Sequence, residues 1–234
     1  MRIGAILVGP ALLLGLLQEA PEERRFAAER QRMVAAQIEA RGIKDRRVLA
    51  AMAAVPRHRF VPDASRAYAY EDSPLPIGRG QTISQPYMVA LMAEALELKG
   101  QEKVLEVGSG SGYAAAVVAR LVKQVLGIEL EQELNDRAEA TLRQLGVANV
   151  RLRCGDGFGG WPEEAPFDAI LLSCAAPEVP APLLAQLRPG GVLLMPQGEP
   201  GTVQVLVRLR KTPSGMAREV LIPVRFVPLR RPAK

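Results

Sequence analysis

The stretch Val104-Leu-Glu-Val-Gly-Ser-Gly-Ser-Gly-Tyr113 decides the fold class of this chain. A short apolar run leads into three glycines at alternate positions, and an alanine- and valine-rich run follows over residues 114–121. Apolar runs of this length are typical of buried strands, and glycine permits a sharp turn that brings backbone amides close to a ligand. The stretch therefore predicts a strand, a glycine turn and a helix N-terminus, which together form a nucleotide-type site.

The spacing of the glycines narrows the kind of nucleotide. The dinucleotide fingerprint is G-x-G-x-x-G, whereas this loop is G-x-G-x-G and has an acidic residue, Glu106, inside the strand before it. That form is more typical of enzymes that use S-adenosylmethionine. A glycine turn after a strand can also be loop geometry alone, so the decision depends on residues further along the chain.

The rest of the C-terminal half repeats the pattern of short apolar strands separated by helices, which predicts a mostly parallel, helix-covered sheet. Alternating apolar and polar residues on either side of Thr212-Pro-Ser-Gly215 predict that the sheet ends in an antiparallel hairpin. The predicted strands cover 103–107, 124–129, 150–154, 167–173 and 191–195, the hairpin strands 202–210 and 217–226, and the helices 113–121, 131–145 and 182–187.

The N-terminal part reads as helices followed by an irregular segment. Apolar residues on one face predict an amphipathic helix over 21–41 that Gly42 ends, and Asp45 is placed to cap a second helix that ends near Pro56. Residues 57–86 predict an irregular, lid-like segment, and 86–98 return to helical spacing. We expect residues 22–98 and the α/β domain 99–234 to form one compact unit.

Residues 1–21 form an apolar segment with the character of a signal-peptide core, but Pro10 interrupts it and the small residues preferred for cleavage are missing near Ala20. Export, a membrane-proximal anchor and a translation start placed too early all remain open. The segment is therefore excluded from the fold argument.

Composition excludes several classes of function. The net charge of +5 is spread along the chain, which is weak evidence for nucleic-acid binding. Cys154 and Cys174 are the only cysteines, and we expect both to be buried free thiols. His58 is the only histidine, which argues against a histidine-based triad or metal site, and we expect it to be a surface or lid residue. No metal is predicted.

Two acidic residues downstream favour an adenosyl ligand. Glu129 ends the second predicted strand, 21 residues beyond Gly108, where its carboxylate can accept from both ribose hydroxyls. Leu130 would face the adenine ring, and Asp156-Gly157 after the third strand could bind the adenine edge. The alternatives are a helix-start acid at Glu129 and an ordinary Asp-Gly turn at Asp156.

The run Pro74-Leu-Pro-Ile-Gly-Arg-Gly-Gln-Thr-Ile-Ser-Gln-Pro86, together with 104–113, resembles the protein-L-isoaspartate O-methyltransferase family. The resemblance extends from about residue 33 to 229 and includes the Arg225-Phe-Val-Pro-Leu229 run. It implies a Rossmann-like class I S-adenosylmethionine-dependent methyltransferase fold. Ser173-Cys174 departs from the family pattern, in which small or threonine residues usually precede the alanines.

The resemblance also implies roles for single residues. Ser84 corresponds to the active-site serine, with Thr82 and Ile83 near the methyl-transfer centre. It implies that Gly108, Ser109 and Gly110 hold the methionine end of the cofactor, Glu129 the ribose, and Asp156 with Gly157 the adenine. Thr82, Ile83, Glu106 and Leu130 are expected to be further cofactor-binding residues. From spacing alone, Ser84 could instead be the N-cap of the helix that begins near Pro86.

The implied reaction moves a methyl group from S-adenosylmethionine to the free carboxylate of L-isoaspartyl or D-aspartyl residues in damaged proteins and peptides. Alternatives are a methyltransferase acting on a small molecule or RNA, and a non-catalytic module that binds isoaspartyl chains. We expect a monomer in the cytoplasm, without nucleic-acid partners or stable membrane insertion. A periplasmic or membrane-proximal location is the alternative if residues 1–21 act as a signal.

Overall fold

The computed structural model describes residues 21–232, so the predicted apolar segment lies outside the described residues except for Pro21. Over this range, helices α1–α6 span Pro21–Met33, Arg46–Ala54, Pro86–Ala95, Tyr113–Ala119, Gln132–Gln144 and Ala181–Gln186. Strands β1–β9 span Leu75–Gly78, Gln81–Ile83, Lys103–Val107, Gln124–Glu129, Val150–Cys154, Phe167–Leu172, Leu187–Gln197, Gln204–Thr212 and Gly215–Val224. None of the helices in this range combines the length and the apolar character needed to cross a membrane.

Strands β3 to β9 form one sheet in the order β5-β4-β3-β6-β7-β8-β9. The pairs from β5 to β7 are parallel, β8 pairs antiparallel with β7, and β9 pairs antiparallel with β8. The predicted α/β class, with a mostly parallel sheet and an antiparallel C-terminal hairpin, is confirmed. The central strand β3 has parallel neighbours on both sides, so its carboxyl end lies where ligands bind in such folds.

The central strands β3, β4 and β6 are buried on both faces, which explains their continuous apolar residues. Neighbouring strand residues point to opposite faces. Val104 and Val125 therefore belong to one hydrophobic cluster, while Leu105 and Leu126 belong to the other. The first cluster also contains Phe26 and other residues of the N-terminal helices, so those helices pack directly on one face of the sheet.

The helices before the sheet begin and end where local sequence predicts. After α1 the helical segment continues through a π-helical turn and a 3-10 turn. It stops at Gly42, whose φ of 101° is left-handed. Asp45 caps α2 because its Oδ1 accepts hydrogen bonds from the amides of Arg47 at 2.7 Å and Val48 at 3.4 Å. α2 ends at Ala54, two residues before Pro56.

The segment 57–86 has more regular structure than predicted. It contains two 3-10 turns, Arg57–Phe60 and Asp63–Tyr68, and strands β1 and β2 pair as a small antiparallel hairpin. The hairpin escaped prediction because it makes only three residue pairs and contains a bulge.

His58 is buried, so the expectation of a surface residue was wrong, although it lies in the segment 57–86 that was predicted to be lid-like. Only 1% of it is exposed, since its ring stacks on Phe26 at 4.2 Å and its Nδ1 forms a hydrogen bond of 2.7 Å with the Tyr70 hydroxyl. Helix α1 covers this ring from a distant part of the sequence. The pKa of His58 is lowered, mainly because burial disfavours the charged imidazolium.

The two cysteines differ from one another. Both are free thiols and Cys174 is buried, as predicted, but Cys154 is exposed, which corrects the expectation for that residue. The reason is that β5 is an edge strand, so its last residue has no neighbouring strand on one side. Within residues 21–232, no cluster of three or more histidine, cysteine, aspartate or glutamate side chains could hold a metal ion.

Candidate active site

The glycine loop follows β3 and turns back on the neighbouring strand β4. Gly108, Gly110 and Gly112 all have left-handed φ angles, of 83°, 54° and 82°. The amides of Gly108 and Ser109 donate to the carbonyl of Ile128 at 2.8 and 3.2 Å. These angles favour glycine, so the sequence of the loop is a consequence of its sharp turn.

Glu129 connects this loop to the start of α5. Its Oε2 accepts from the Gly110 amide at 2.7 Å, and its Oε1 accepts from the Glu131 amide at 3.0 Å. Although Glu129 is buried, each carboxylate oxygen has a second acceptor position that a ligand hydroxyl could use. Glu129 thus lies where the ribose-binding role was predicted, and its contact with the Glu131 amide also gives it part of the alternative role at the start of α5.

Two adjoining hollows lie over the glycine loop, and we call them the outer pocket and the inner pocket. The outer pocket encloses about 510 Å³ and the inner pocket about 310 Å³. Six of the predicted site residues line the outer pocket, namely Thr82, Gly108, Gly110, Glu129, Leu130 and Gly157. Those lining the inner pocket are Thr82, Ile83, Ser84, Glu106, Gly108, Ser109 and Gly110. The structure therefore brings together every predicted site residue except Asp156.

Asp156 lies beside the outer pocket rather than in its lining. Its Oδ1 accepts from the Phe158 amide at 2.9 Å and caps the 3-10 turn Gly157–Gly159, while its Oδ2 is 3.3 Å from Nη1 of Arg231. The turn-forming role that was the alternative for Asp156 is thus present. A side chain at Gly157 would clash with Val107, so glycine is required where this turn meets β3.

A buried polar cluster forms the floor of the inner pocket. The Ser173 hydroxyl donates to Oε1 of Glu106 at 3.0 Å. Among the described residues, Oε2 of Glu106 and the Ser109 hydroxyl are buried and have no hydrogen-bond partner outside this cluster. Burial raises the pKa of Glu106 to about 7, and the hydroxyls of Ser173 and Ser109 oppose this rise. Unsatisfied buried polar atoms are costly, which points to a polar ligand here.

Ser84 is not the cap of α3, so the interpretation drawn from spacing alone was wrong. The N-cap residue is Gln85, and its side chain does not cap the helix. Asp72 performs that function from the preceding loop by accepting from the Tyr87 amide at 3.0 Å. The Ser84 hydroxyl is therefore not committed to the helix start, and the residue lines the inner pocket.

One wall of the outer pocket was not predicted from the sequence. Val227, Pro228, Leu229 and Arg230 line it, and the segment is held in place by Ala175. The Ala175 amide donates to the Val227 carbonyl at 2.8 Å, and the Leu229 amide donates to the Ala175 carbonyl at 2.7 Å. The Arg225-Phe-Val-Pro-Leu229 run carried the resemblance, but its residue types do not suggest a pocket wall.

These features fit an adenosyl ligand that carries an amino acid end. The outer pocket offers the Glu129 carboxylate and the apolar Leu130, and the inner pocket offers the unpartnered atoms of Glu106 and Ser109. The fold and this site define a Rossmann-like, S-adenosylmethionine-dependent methyltransferase.

Comparisons with known proteins identify the family. The family model described as protein-L-isoaspartate(D-aspartate) O-methyltransferase matches residues 28–234. A protein-L-isoaspartate O-methyltransferase 2 from Anaeromyxobacter sp. (strain Fw109-5) is 64% identical over 203 residues, covering 87% of this chain and 84% of the relative. The chain belongs to the protein-L-isoaspartate(D-aspartate) O-methyltransferase family, which confirms the family and the cofactor predicted from the sequence.

Solved structures agree with this assignment. A structure of a protein-L-isoaspartate O-methyltransferase is 29% identical with a TM-score of 0.78, over 85% of this chain and 65% of that longer chain. A Plasmodium falciparum structure described as a putative protein-L-isoaspartate O-methyltransferase, in complex with S-adenosyl-L-homocysteine, is 27% identical with a TM-score of 0.74, over 87% of this chain and 99% of that one.

Proposed function

We propose that the chain repairs damaged proteins by methylating the free carboxylate of L-isoaspartyl and D-aspartyl residues, with Ser84 at the acceptor site. The main observation behind this proposal is that the two pockets are joined. Thr82, Gly108, Gly110 and Ser173 line both, so a cofactor that extends from the outer pocket into the inner one would adjoin an acceptor beside Ser84.

The cofactor residues divide between the two pockets. Glu129 and Leu130 are suited to the ribose and adenine, with Gly157 at the adenine side and Asp156 fixing the turn that positions it. Gly108, Ser109, Gly110 and Glu106 are suited to the amino acid end. When bound, S-adenosylmethionine supplies an electrophilic methyl group on a sulfonium.

The acceptor needs no general base, because a carboxylate is already ionised at neutral pH. This agrees with a site in which no histidine lines either pocket. Ser84 would donate a hydrogen bond that orients the acceptor oxygen, while Thr82 and Ile83 exclude water from one side. Such positioning can lower a barrier by about 7–11 kcal/mol.

Substrate proteins are recognised through the isoaspartyl backbone, since damage occurs in many sequence contexts. We also propose that the enzyme works as a monomer in the cytoplasm, where its cofactor is made. Support for a monomer comes from the edge strand β5, whose Arg151 and Arg153 pair with Glu164 and Glu163, because charged edges resist pairing between sheets. The mass in solution, measured by light scattering, would test the monomer.

The experiment that tests the function uses methyl-labelled S-adenosylmethionine and two peptides that differ only in an isoaspartyl or an aspartyl linkage. We expect base-labile label on the isoaspartyl peptide alone. Equal labelling of both peptides, or none, would reject the assignment. Label transferred to RNA or a small molecule would support the alternative acceptor, and peptide binding without ester formation would indicate a non-catalytic module.

A further inference from the structure

Glu131 joins two separate segments at the outer pocket. Its Oε1 is 2.6 Å from Nη2 of Arg230, and its Oε2 is 3.3 Å from Nε of Arg79. Glu131 is the N-cap residue of α5, yet its side chain makes no capping bond there. Its carboxylate is therefore used for contacts between segments rather than for the helix to which it belongs.

Each arginine belongs to a wall of the outer pocket. Arg79 lies in the turn between β1 and β2 with a φ of 55°, and Gln81 and Thr82, two and three residues later, line the pocket. Arg230 lines the pocket itself, at the end of the C-terminal wall 227–230. The Glu131 carboxylate thus connects the hairpin wall to the C-terminal wall, beside Glu129. On the hairpin side, Oε2 of Glu133 also lies 3.7 Å from Nε of Arg79.

The strength of these contacts suits a connection that opens and closes. The side chain of Glu131 is 19% exposed, and those of Arg79 and Arg230 are 54% and 42% exposed. Hydrogen bonds from Arg230 and then from Arg79 lower the pKa of Glu131, so it stays charged at neutral pH. Exposed ion pairs are individually weak, so these contacts hold the two walls together but can break without a large cost in free energy.

We propose that Glu131 is a positioning residue that latches the β1–β2 turn to the C-terminal wall and slows the exchange of S-adenosyl compounds through the outer pocket. This inference rests on the proposed use of the outer pocket by the cofactor. Breaking the Glu131 contacts would separate the two walls and let the demethylated cofactor, S-adenosyl-L-homocysteine, leave. Forming them again would hold Thr82, and the chain that leads to Ser84, over the bound cofactor.

The test compares Glu131→Gln, which keeps the side-chain shape but removes the charge, with the unchanged protein. Dissociation of S-adenosyl-L-homocysteine, followed by stopped-flow fluorescence, should become about two- to tenfold faster, as expected for loss of one or two exposed ion pairs. The difference should shrink at high salt because screening weakens the latch in the unchanged protein.

Glu219→Gln is the matched control. Glu219 contacts Arg208 at the same 2.6 Å, but the pair lies on β8 and β9, and neither residue lines the two pockets. The control should leave the dissociation rate unchanged. Equal rates in Glu131→Gln and the unchanged protein, or an equal increase in the control, would overturn the proposal.

A second measurement needs no cofactor. In the cofactor-free protein, hydrogen exchange of amides in 79–82 and 227–230 should be faster in Glu131→Gln, while exchange in β3 and β4 should not change. Faster exchange throughout the sheet would show general destabilisation and count against a latch. Arg230→Gln should repeat the rate increase, and the double variant should add little to either single change. All these readouts remain valid even if the isoaspartyl assay fails.

Discussion

The carboxylate of Asp72 accepts a hydrogen bond from the Tyr87 amide at 3.0 Å, and this contact caps α3 two residues after Ser84. Asp72 also pairs with Arg41 and lies 3.4 Å from the side-chain nitrogen of Gln85. The loop before the β1–β2 hairpin thus fixes the backbone on the far side of Ser84.

Replacing Asp72 with alanine should lower stability by about 1 kcal/mol, the usual cost of a lost N-cap. Because Ser84 would lose its fixed position, kcat should fall while the affinity for S-adenosyl-L-homocysteine stays unchanged. Asp72→Asn keeps an acceptor for Tyr87 and should restore much of kcat. Asp63→Ala, which removes an exposed ion pair with Arg66, serves as the control for a general loss of charge.

Ser84→Ala should reduce kcat for isoaspartyl peptide, since the acceptor carboxylate would lose a hydrogen bond that orients it. A loss of one hydrogen bond to a charged group, about 1.5–3 kcal/mol, corresponds to roughly 10- to 150-fold. Titration with S-adenosyl-L-homocysteine should give nearly the original Kd. A large loss of cofactor affinity would show that Ser84 binds the cofactor instead.

Glu129→Gln should weaken cofactor binding, because the charged acceptor for the ribose hydroxyls becomes a neutral amide. The amide of glutamine can also present a donor to the Gly110 amide, which needs an acceptor. We expect Kd for S-adenosyl-L-homocysteine to rise by about tenfold or more, in line with charged hydrogen bonds. Calorimetric titration would measure this, and an unchanged Kd would remove Glu129 from the cofactor site.

The buried carboxyl of Glu106 should make stability depend on pH. Its pKa is raised from 4.5 to about 7, so the folded protein binds more protons than the unfolded chain between these values. The stabilising contribution is complete below about pH 4.5 and is lost as pH rises through about 7, a change of about 3 kcal/mol. Urea unfolding of cofactor-free protein should show this loss, and Glu106→Gln should abolish it. Parallel curves for the two proteins would contradict the prediction.

The two thiols should react at different rates. Cys154 is exposed, whereas Cys174 is buried and burial raises the pKa of its thiol far above the usual range. Iodoacetamide should therefore add one label to the native protein and two after denaturation, as measured by mass spectrometry. A second label on the native protein would show that the strand end carrying Cys174 opens readily.

The sheet was predictable because its strands are short apolar runs and its loops carry distinctive residues. Gly108 and Glu129 could be placed together since the carboxyl ends of parallel strands share one edge. The order of the strands was not predictable, because it depends on which helices cross each face rather than on any local pattern.

The errors concern residues whose environment comes from distant parts of the chain. His58 is buried by Phe26 and Tyr70, Cys154 is exposed because no strand follows β5 in the sheet, and Asp72 replaces Ser84 as a cap. The latch at Glu131 depends on two arginines separated from it by 52 and 99 residues. The local spacing of residues contains no information about contacts between residues that are distant in sequence.

The C-terminal wall of the outer pocket also sets an order of events during synthesis. Residues 227–230 leave the ribosome after every strand of the sheet, yet they complete the pocket. Chains truncated before Val227 would retain the strands and lack that wall, so we expect them to bind S-adenosyl-L-homocysteine weakly.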